Sequence, residues 1–132
     1  MQGRQHRILL VDDDQTLREH LSDLLKDHEW QVEEASNGAE ALRKLHTTHY
    51  DAVLSDVFTP EMDGYQLIRA IRNRWSDMPV VMMSGGYAAL NAKLATELGS
   101  KLGATRILQK PFSRRDLYEA VKSALETRYQ PA

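Results

Sequence analysis

Four short strand-like runs in this chain each lead into a residue that could do chemistry. Asp12, Asp13 and Asp14 follow Ile8-Leu9-Leu10-Val11, and Asp56 ends Ala52-Val53-Leu54-Ser55. Ser84 follows Val80-Val81-Met82-Met83, and Lys110 follows Arg106-Ile107-Leu108-Gln109. Acids from two runs are too many like charges for a water-poor pocket unless a cation offsets them. The donors are all oxygen, with no His or Cys beside them, which favours Mg²⁺ or Mn²⁺ over zinc. Such an ion leaves room for phosphoryl oxygens, to which Lys110 offers a point charge and Ser84 a hydroxyl. Phosphoryl transfer needs little beyond positioning and charge neutralisation. A carboxylate such as Asp56 can be the nucleophile and become an aspartyl phosphate.

Singly, each residue has a duller explanation. Asp56 would cap a turn, Asp14 or a neighbour would cap the next helix, Ser84 would belong to a turn, and Lys110 would be solvated. The argument rests on four strand ends all bearing the types that one reaction needs. Other features carry less. His6, His20, His28, His46 and His49 show no ligand spacing. Gly85-Gly86 lacks a G-x-G-x-x-G context, and the Leu90–Leu102 stripe covers only about two heptads, so it reads as core.

The elements that must position these groups alternate strictly. Strands are predicted at Ile8–Val11, Trp30–Ala35, Tyr50–Ser55 running into Asp56, Val80–Met83 and Arg106–Gln109. Between them, apolar residues at helical spacing predict a helix over about 15–28 and a second carrying Ala39, Ala41, Leu42 and Leu45. A third, capped by Asp63, carries Leu67, Ile68, Ile71 and Trp75. A fourth carries Leu90, Leu94, Leu98 and Leu102 and ends near Gly99 and Gly103. A last one, opened by a Ser113/Asp116 capping box, buries Leu117, Val121, Ala124 and Leu125. The Trp30–Ala35 run mixes apolar and charged residues, as an edge strand does. Five β-α units predict an α/β, doubly wound sandwich around a five-stranded parallel sheet. Its strand ends gather the polar residues along one edge.

Bulk properties agree. The 132 residues suit one domain with one core, and 42% hydrophobic with 27% charged residues is ordinary for a folded soluble chain. A net charge of −2 gives no field for nucleic acid or anionic membrane. No cysteine is present, and no signal peptide or membrane span is readable, so a cytoplasmic protein is expected.

Taken together, Ile8–Asp14, Tyr50–Asp56, Pro60-Glu61-Met62-Asp63-Gly64 and Leu108-Gln109-Lys110-Pro111-Phe112 resemble the response-regulator receiver domains of two-component signalling, over about residues 6–127. The resemblance implies the flavodoxin-like strand order 2-1-3-4-5, for which a member of this family is a standard example. It implies that Asp56 accepts a phosphoryl group from a sensor histidine kinase or a histidine phosphotransfer protein. Asp13, Asp56 and the Phe58 backbone carbonyl would ligate Mg²⁺, with Asp12 acting through water. Ser84 and Lys110 would bind phosphoryl oxygens, the Lys110–Pro111 peptide would be cis, and a downstream protein would read the helix before the fifth strand, that strand and the last helix. The domain would be a signalling module rather than an enzyme acting on a foreign substrate. Three positions depart from the family pattern. Ile107 stands where an aromatic switch residue is usual. The stretch from Ser84 to Gly103 is longer than usual by about one helical turn. Phe58 is apolar where many members are polar.

Two other readings compete. Asp12-Asp13-Asp14-Gln15-Thr16 also fits the D-x-D-x-T pattern of haloacid-dehalogenase-like phosphatases, with Asp12 as nucleophile and Asp14 as acid/base. That reading needs a further acidic motif on a strand after the lysine, where only helix is predicted. Alternatively the chain is a receiver segment of a hybrid kinase or larger regulator. The initial Met and short tail favour a stand-alone single domain over 1–132 without an output domain.

Overall fold

Successive side chains of a strand point to opposite faces, so a strand buried at every position must be covered on both sides. Three strands here meet that condition. Ile8–Val11, Ala52–Leu54 and Val80–Met83 are all 1% exposed or less. The computed structural model describes residues 5–56, 62, 64–85, 101 and 103–128. It contains β1 (Arg7–Val11), α1 (Gln15–Lys26), β2 (Gln31–Ala35), α2 (Gly38–Thr47) and β3 (Ala52–Asp56). These are followed by α3 (Gly64–Arg74), β4 (Val80–Gly85), β5 (Arg106–Lys110) and a C-terminal helix, α4 (Arg114–Arg128).

The sheet order is β2-β1-β3-β4-β5 and every pairing is parallel. The three strands with fully buried apolar runs are therefore the three interior ones. The mixed strand β2 lies at an edge, as its composition predicted, and β5 forms the other edge. Alternation splits the core in two. Leu9, Val11, Val53, Val80 and Met82 pack against Ala41 and Leu45 of α2 and Leu67, Ile68 and Ile71 of α3. Ile8, Leu10, Ala52, Leu54, Val81, Met83 and Leu108 pack against Leu21 and Leu25 of α1 and Leu117, Val121 and Leu125 of α4. Each large side chain so buried contributes about 1.5–3 kcal/mol before entropy is counted.

Local signals start and stop the elements. The Asp14 carboxylate accepts from the Leu17 N–H at 3.1 Å, and the Asn37 side chain accepts from the Glu40 N–H at 2.8 Å. Ser113 and Asp116 exchange reciprocal bonds, the Ser113 hydroxyl accepting at 3.0 Å and the Asp116 carboxylate at 3.2 Å, as a capping box does. Gly103 has a φ of 102°, the left-handed region that glycine adopts freely, in keeping with its predicted role at a helix end. Gly38, opening α2, meets a different demand. A Cβ there would lie 2.6 Å from the Met62 carbonyl oxygen, so only glycine lets α2 approach the chain beyond β3 this closely.

Boundaries moved where pairing or a turn decided them. The first helix ends at Lys26 rather than near residue 28, because Glu29 takes a φ of 63° and turns the chain into β2. Strands β4 and β5 run on to Gly85 and Lys110 because those two residues still pair. The predicted Leu90–Leu102 helix, the Asp63 cap and Gly99 lie outside the described residues, except that Lys101 is helical.

Candidate functional site

The alternation that turns Ile8 and Leu10 toward α1 and α4 continues into Asp12. Ala52 and Leu54 lead in the same way to Asp56, and Leu108 leads to Lys110. Register aligns the strand ends. Val11 pairs with Ser55, Asp56 with Met83, and Gly85 with Lys110. Three strands thus deliver charged groups to one corner of the sheet's carboxyl edge, where open α/β sheets bind ligands. Lys110 Nζ lies 3.5 Å from Asp56 Oδ1 and 4.0 Å from Asp12 Oδ2. One oxygen from each of Asp12, Asp13 and Asp56 falls within 4.8 Å of the others.

Asp12 is buried among like charges. It is 1% exposed. Its Oδ1 accepts from the Asp14 N–H at 3.0 Å, whereas its buried Oδ2 has no hydrogen-bond donor among the described residues. Burial pushes its carboxyl above the ordinary value; the Asp14 N–H and Lys110 oppose the shift, while Asp13 and Asp14 add to it. Among the described residues, one ammonium stands beside three clustered carboxylates, which leaves the corner short of positive charge. A buried carboxylate oxygen without a donor, amid oxygen ligands only, fits a hard divalent cation such as Mg²⁺.

The three consecutive acids have separate jobs. Asp12 is buried at the sheet end, Asp13 is exposed beside it, and Asp14 caps α1 and is not part of the three-carboxylate cluster. Ser84 is 2% exposed and pairs with Gln109. Its parity continues Val80 and Met82, so it lies on the α2/α3 side of the sheet. Ile107 pairs with Met82 and packs half-buried against the same core. Ser84 and Ile107 therefore share a face, one diagonal step apart. The Lys110–Pro111 peptide is cis, as the family resemblance implied. Phe58 lies outside the described residues. After Lys110 the next element is α4, so the described residues provide no strand for the late acid of the phosphatase reading.

One participant was not foreseen. The Arg18 guanidinium donates from Nη1 to the Asp12 backbone carbonyl at 2.8 Å and from Nε to Glu34 Oε1 at 2.8 Å. Its only sequence signal was a cation one turn past the Asp14 cap.

Comparison with known proteins agrees with this geometry. Residues 8–122 match the family described as response regulator receiver domain. A transcriptional regulatory protein, the CpxR homolog of Haemophilus influenzae, is 40% identical over 126 residues, covering 96% of this chain and 53% of that protein. The transcriptional regulatory protein GltR of Pseudomonas aeruginosa is 36% identical, with coverage of 95% and 51%. The chain thus spans about half the length of these curated relatives. Among solved structures, the receiver domain of a signal transduction histidine kinase from Syntrophus aciditrophicus superposes with a TM-score of 0.84 at 31% identity, covering 96% of this chain and 95% of that one. A CheY-like receiver domain from Methanospirillum hungatei gives 0.84 at 29% identity, covering 95% and 97%. With its family match over most of its length, its parallel 2-1-3-4-5 sheet and its acidic strand-end corner, this chain belongs to the response regulator receiver domains of two-component signalling.

Proposed function

We propose that Asp56 is the phosphoacceptor, taking its phosphoryl group from a phosphohistidine on a sensor histidine kinase or histidine phosphotransfer protein. The observation that carries the reading is the convergence of Asp12, Asp13, Asp56 and Lys110 at one corner of the sheet. An Asp56 carboxylate oxygen attacks phosphorus; the P–N bond to the donor imidazole breaks and a P–O bond forms. Lys110, 3.5 Å from the acceptor oxygen, would pair with the transferred oxygens. Ser84, at the end of the neighbouring strand but of opposite parity to Asp56, would have to reach the same group over the carboxyl edge of the sheet to offer its hydroxyl. Asp12, Asp13 and Asp56, with the Phe58 carbonyl by family resemblance, would hold Mg²⁺ or Mn²⁺. When bound, the ion offsets the combined charge of carboxylates and phosphoryl oxygens.

Phosphorylation adds charge at the strand ends, and contacts to Ser84 and Lys110 convert it into a shifted conformational equilibrium. Ile107, on the Ser84 face, is the readout position in place of an aromatic residue. Output passes to a protein partner, in keeping with a net charge of −2 that offers nucleic acid no attractive field. We place the domain in the cytoplasm; no helix among the described residues is long and apolar enough to cross a membrane. Loss of the phosphoryl group to water is part of the signalling cycle rather than turnover of a foreign substrate.

The test is direct. The chain is incubated with Mg²⁺ and acetyl phosphate, and the base-labile adduct is located by mass spectrometry after borohydride reduction. A single phosphoryl group on Asp56, absent in Asp56→Asn, is expected. Label at Asp12, or none on a folded chain, overturns the assignment.

A further inference from the structure

We infer that Arg18 is a positioning residue for the acidic loop, acting through the peptide between Asp12 and Asp13, and that Glu34 keeps its charge from opposing the divalent cation. The inference rests on the phosphoacceptor reading above.

Asp12 is the first residue past β1, where the strand ladder ends. Its N–H is still held by the Ala35 carbonyl at 3.1 Å. Its own carbonyl has lost a ladder partner and accepts instead from Arg18 Nη1 at 2.8 Å. That carbonyl is coplanar with the Asp13 N–H and Cα. Fixing it therefore fixes the rotation about Asp12 and the direction in which Asp13 leaves the strand. The Asp12 side chain anchors the following turn through the Asp14 N–H at 3.0 Å. Among the described residues, Arg18 thus supplies the hydrogen bond to the peptide joining two of the three clustered carboxylates. Asp13 is exposed, so burial does little to orient its side chain.

The geometry also deals with a cost. A guanidinium next to a cation site repels the ion it helps to place. Here Nε donates to Glu34 Oε1 at 2.8 Å, the Arg18 side chain being 15% exposed and that of Glu34 32%. A planar fork suits two partners at once, which an ammonium does not. Glu34 is itself held to α2, because Lys44 Nζ donates to its backbone carbonyl at 2.8 Å. The Arg18–Glu34 pair is close to neutral overall, so it gives direction without a net field.

The test uses the whole chain with Arg18→Met, Arg18→Lys and Glu34→Gln. Mg²⁺ affinity is measured by calorimetry in the absence of phosphodonor, alongside the thermal midpoint in EDTA. Arg18→Met is expected to weaken Mg²⁺ binding by about tenfold, in the range seen when the partners that orient metal ligands are removed. Arg18→Lys should fall between parent and Arg18→Met. Glu34→Gln should weaken binding at low ionic strength, and the deficit should shrink as salt screens the uncompensated Arg18 charge. A residue of purely structural value would lower the thermal midpoint and leave Mg²⁺ affinity within about twofold of the parent, which would overturn the inference. Should Arg18→Met fail to fold, parent-like affinity in both Arg18→Lys and Glu34→Gln overturns it equally. If the parent binds no Mg²⁺ or is not labelled on Asp56, the phosphoacceptor reading fails first and takes this inference with it. If only the variants are parent-like, this inference alone fails.

Discussion

Two aspartates are buried at opposite ends of neighbouring strands, and they are treated differently. Asp51, 0% exposed, sits just before β3. Its Oδ2 accepts from the Arg7 N–H at 2.8 Å, its Oδ1 lies 3.3 Å from His49 Nε2, and His6 Nδ1 is 3.9 Å away. Its backbone N–H in turn donates to the Arg7 carbonyl at 2.8 Å. Asp12, 1% exposed, has a donor for one oxygen, and among the described residues its other oxygen has only Lys110 Nζ, at 4.0 Å. Burial of an unmet acceptor is costly, so a carboxylate closed in by donors reads as structure and one left open reads as a place kept for a ligand. The cations repeat the contrast. Arg72 donates to the carbonyls of Gly103 at 2.7 Å and Met78 at 2.6 Å and locks the end of α3 to the approach to β5. Lys110 instead stands 3.5 Å from the proposed acceptor oxygen.

The contrast can be broken by experiment. The largest effect is expected from Asp51→Ala, which strands the Arg7 N–H and removes a buried charge facing two histidines. It should cost about 3 kcal/mol in urea unfolding and leave Mg²⁺ affinity unchanged. A loss of Mg²⁺ binding by a folded Asp51→Ala protein would erase the distinction. Arg72→Met should follow, at about 2 kcal/mol of stability, because carbonyls of two loops lose their donor. Its effect on the rate of Asp56 labelling should be small. Asp12→Asn reverses the pattern. Mg²⁺ affinity should fall at least about tenfold, equivalent to about 1.4 kcal/mol. The thermal midpoint in EDTA should hold or rise, since a buried like charge has gone.

The smallest effect concerns a carboxylate that is satisfied but only half buried. The Glu40 carboxylate accepts from the Ser36 N–H at 2.7 Å and from the Ser36 hydroxyl at 2.9 Å. The backbone bond is the leading cause that holds its pKa below the ordinary 4.5, against the opposing pull of burial. Its contribution is therefore present above the unfolded-state value and lost as pH falls through the lower folded-state value. Glu40→Gln should cost about 1 kcal/mol at pH 7. The gap between the two unfolding curves should close in acid below the folded-state pKa; a constant gap would show that charge is not what matters there.

Much of the frame was legible because it is written in local patterns. Ile8–Val11 and Val80–Met83 are continuous apolar runs because both faces of those strands are covered. The Asp14, Asn37 and Ser113 caps are short-range chemistry. The convergence of Asp12, Asp56 and Lys110 followed once the strands were known to be parallel. What stayed hidden depends on contacts between distant residues. Arg18 and Arg72 lie on polar helix faces, where an arginine is by default solvated, and their partners are set by packing. Asp51 fell inside the predicted Tyr50–Ser55 strand, whereas β3 starts at Ala52, and its burial comes from the approach of His6 and Arg7. That Ser84 and Ile107 share a face opposite Asp56 needed the register, because strand ends were placed one or two residues short.

Gly38 shows how such a packing constraint appears in a genetic experiment. It contributes no charge, no hydrogen-bonding side chain and no ligand atom, yet any added carbon would press on the Met62 carbonyl, on the segment that leaves β3. In a saturation library it should tolerate almost nothing, ranking beside Asp56 and Lys110 in a fitness map. Intolerance to substitution, taken as a guide to function, would then flag a position whose whole value is the space it leaves empty.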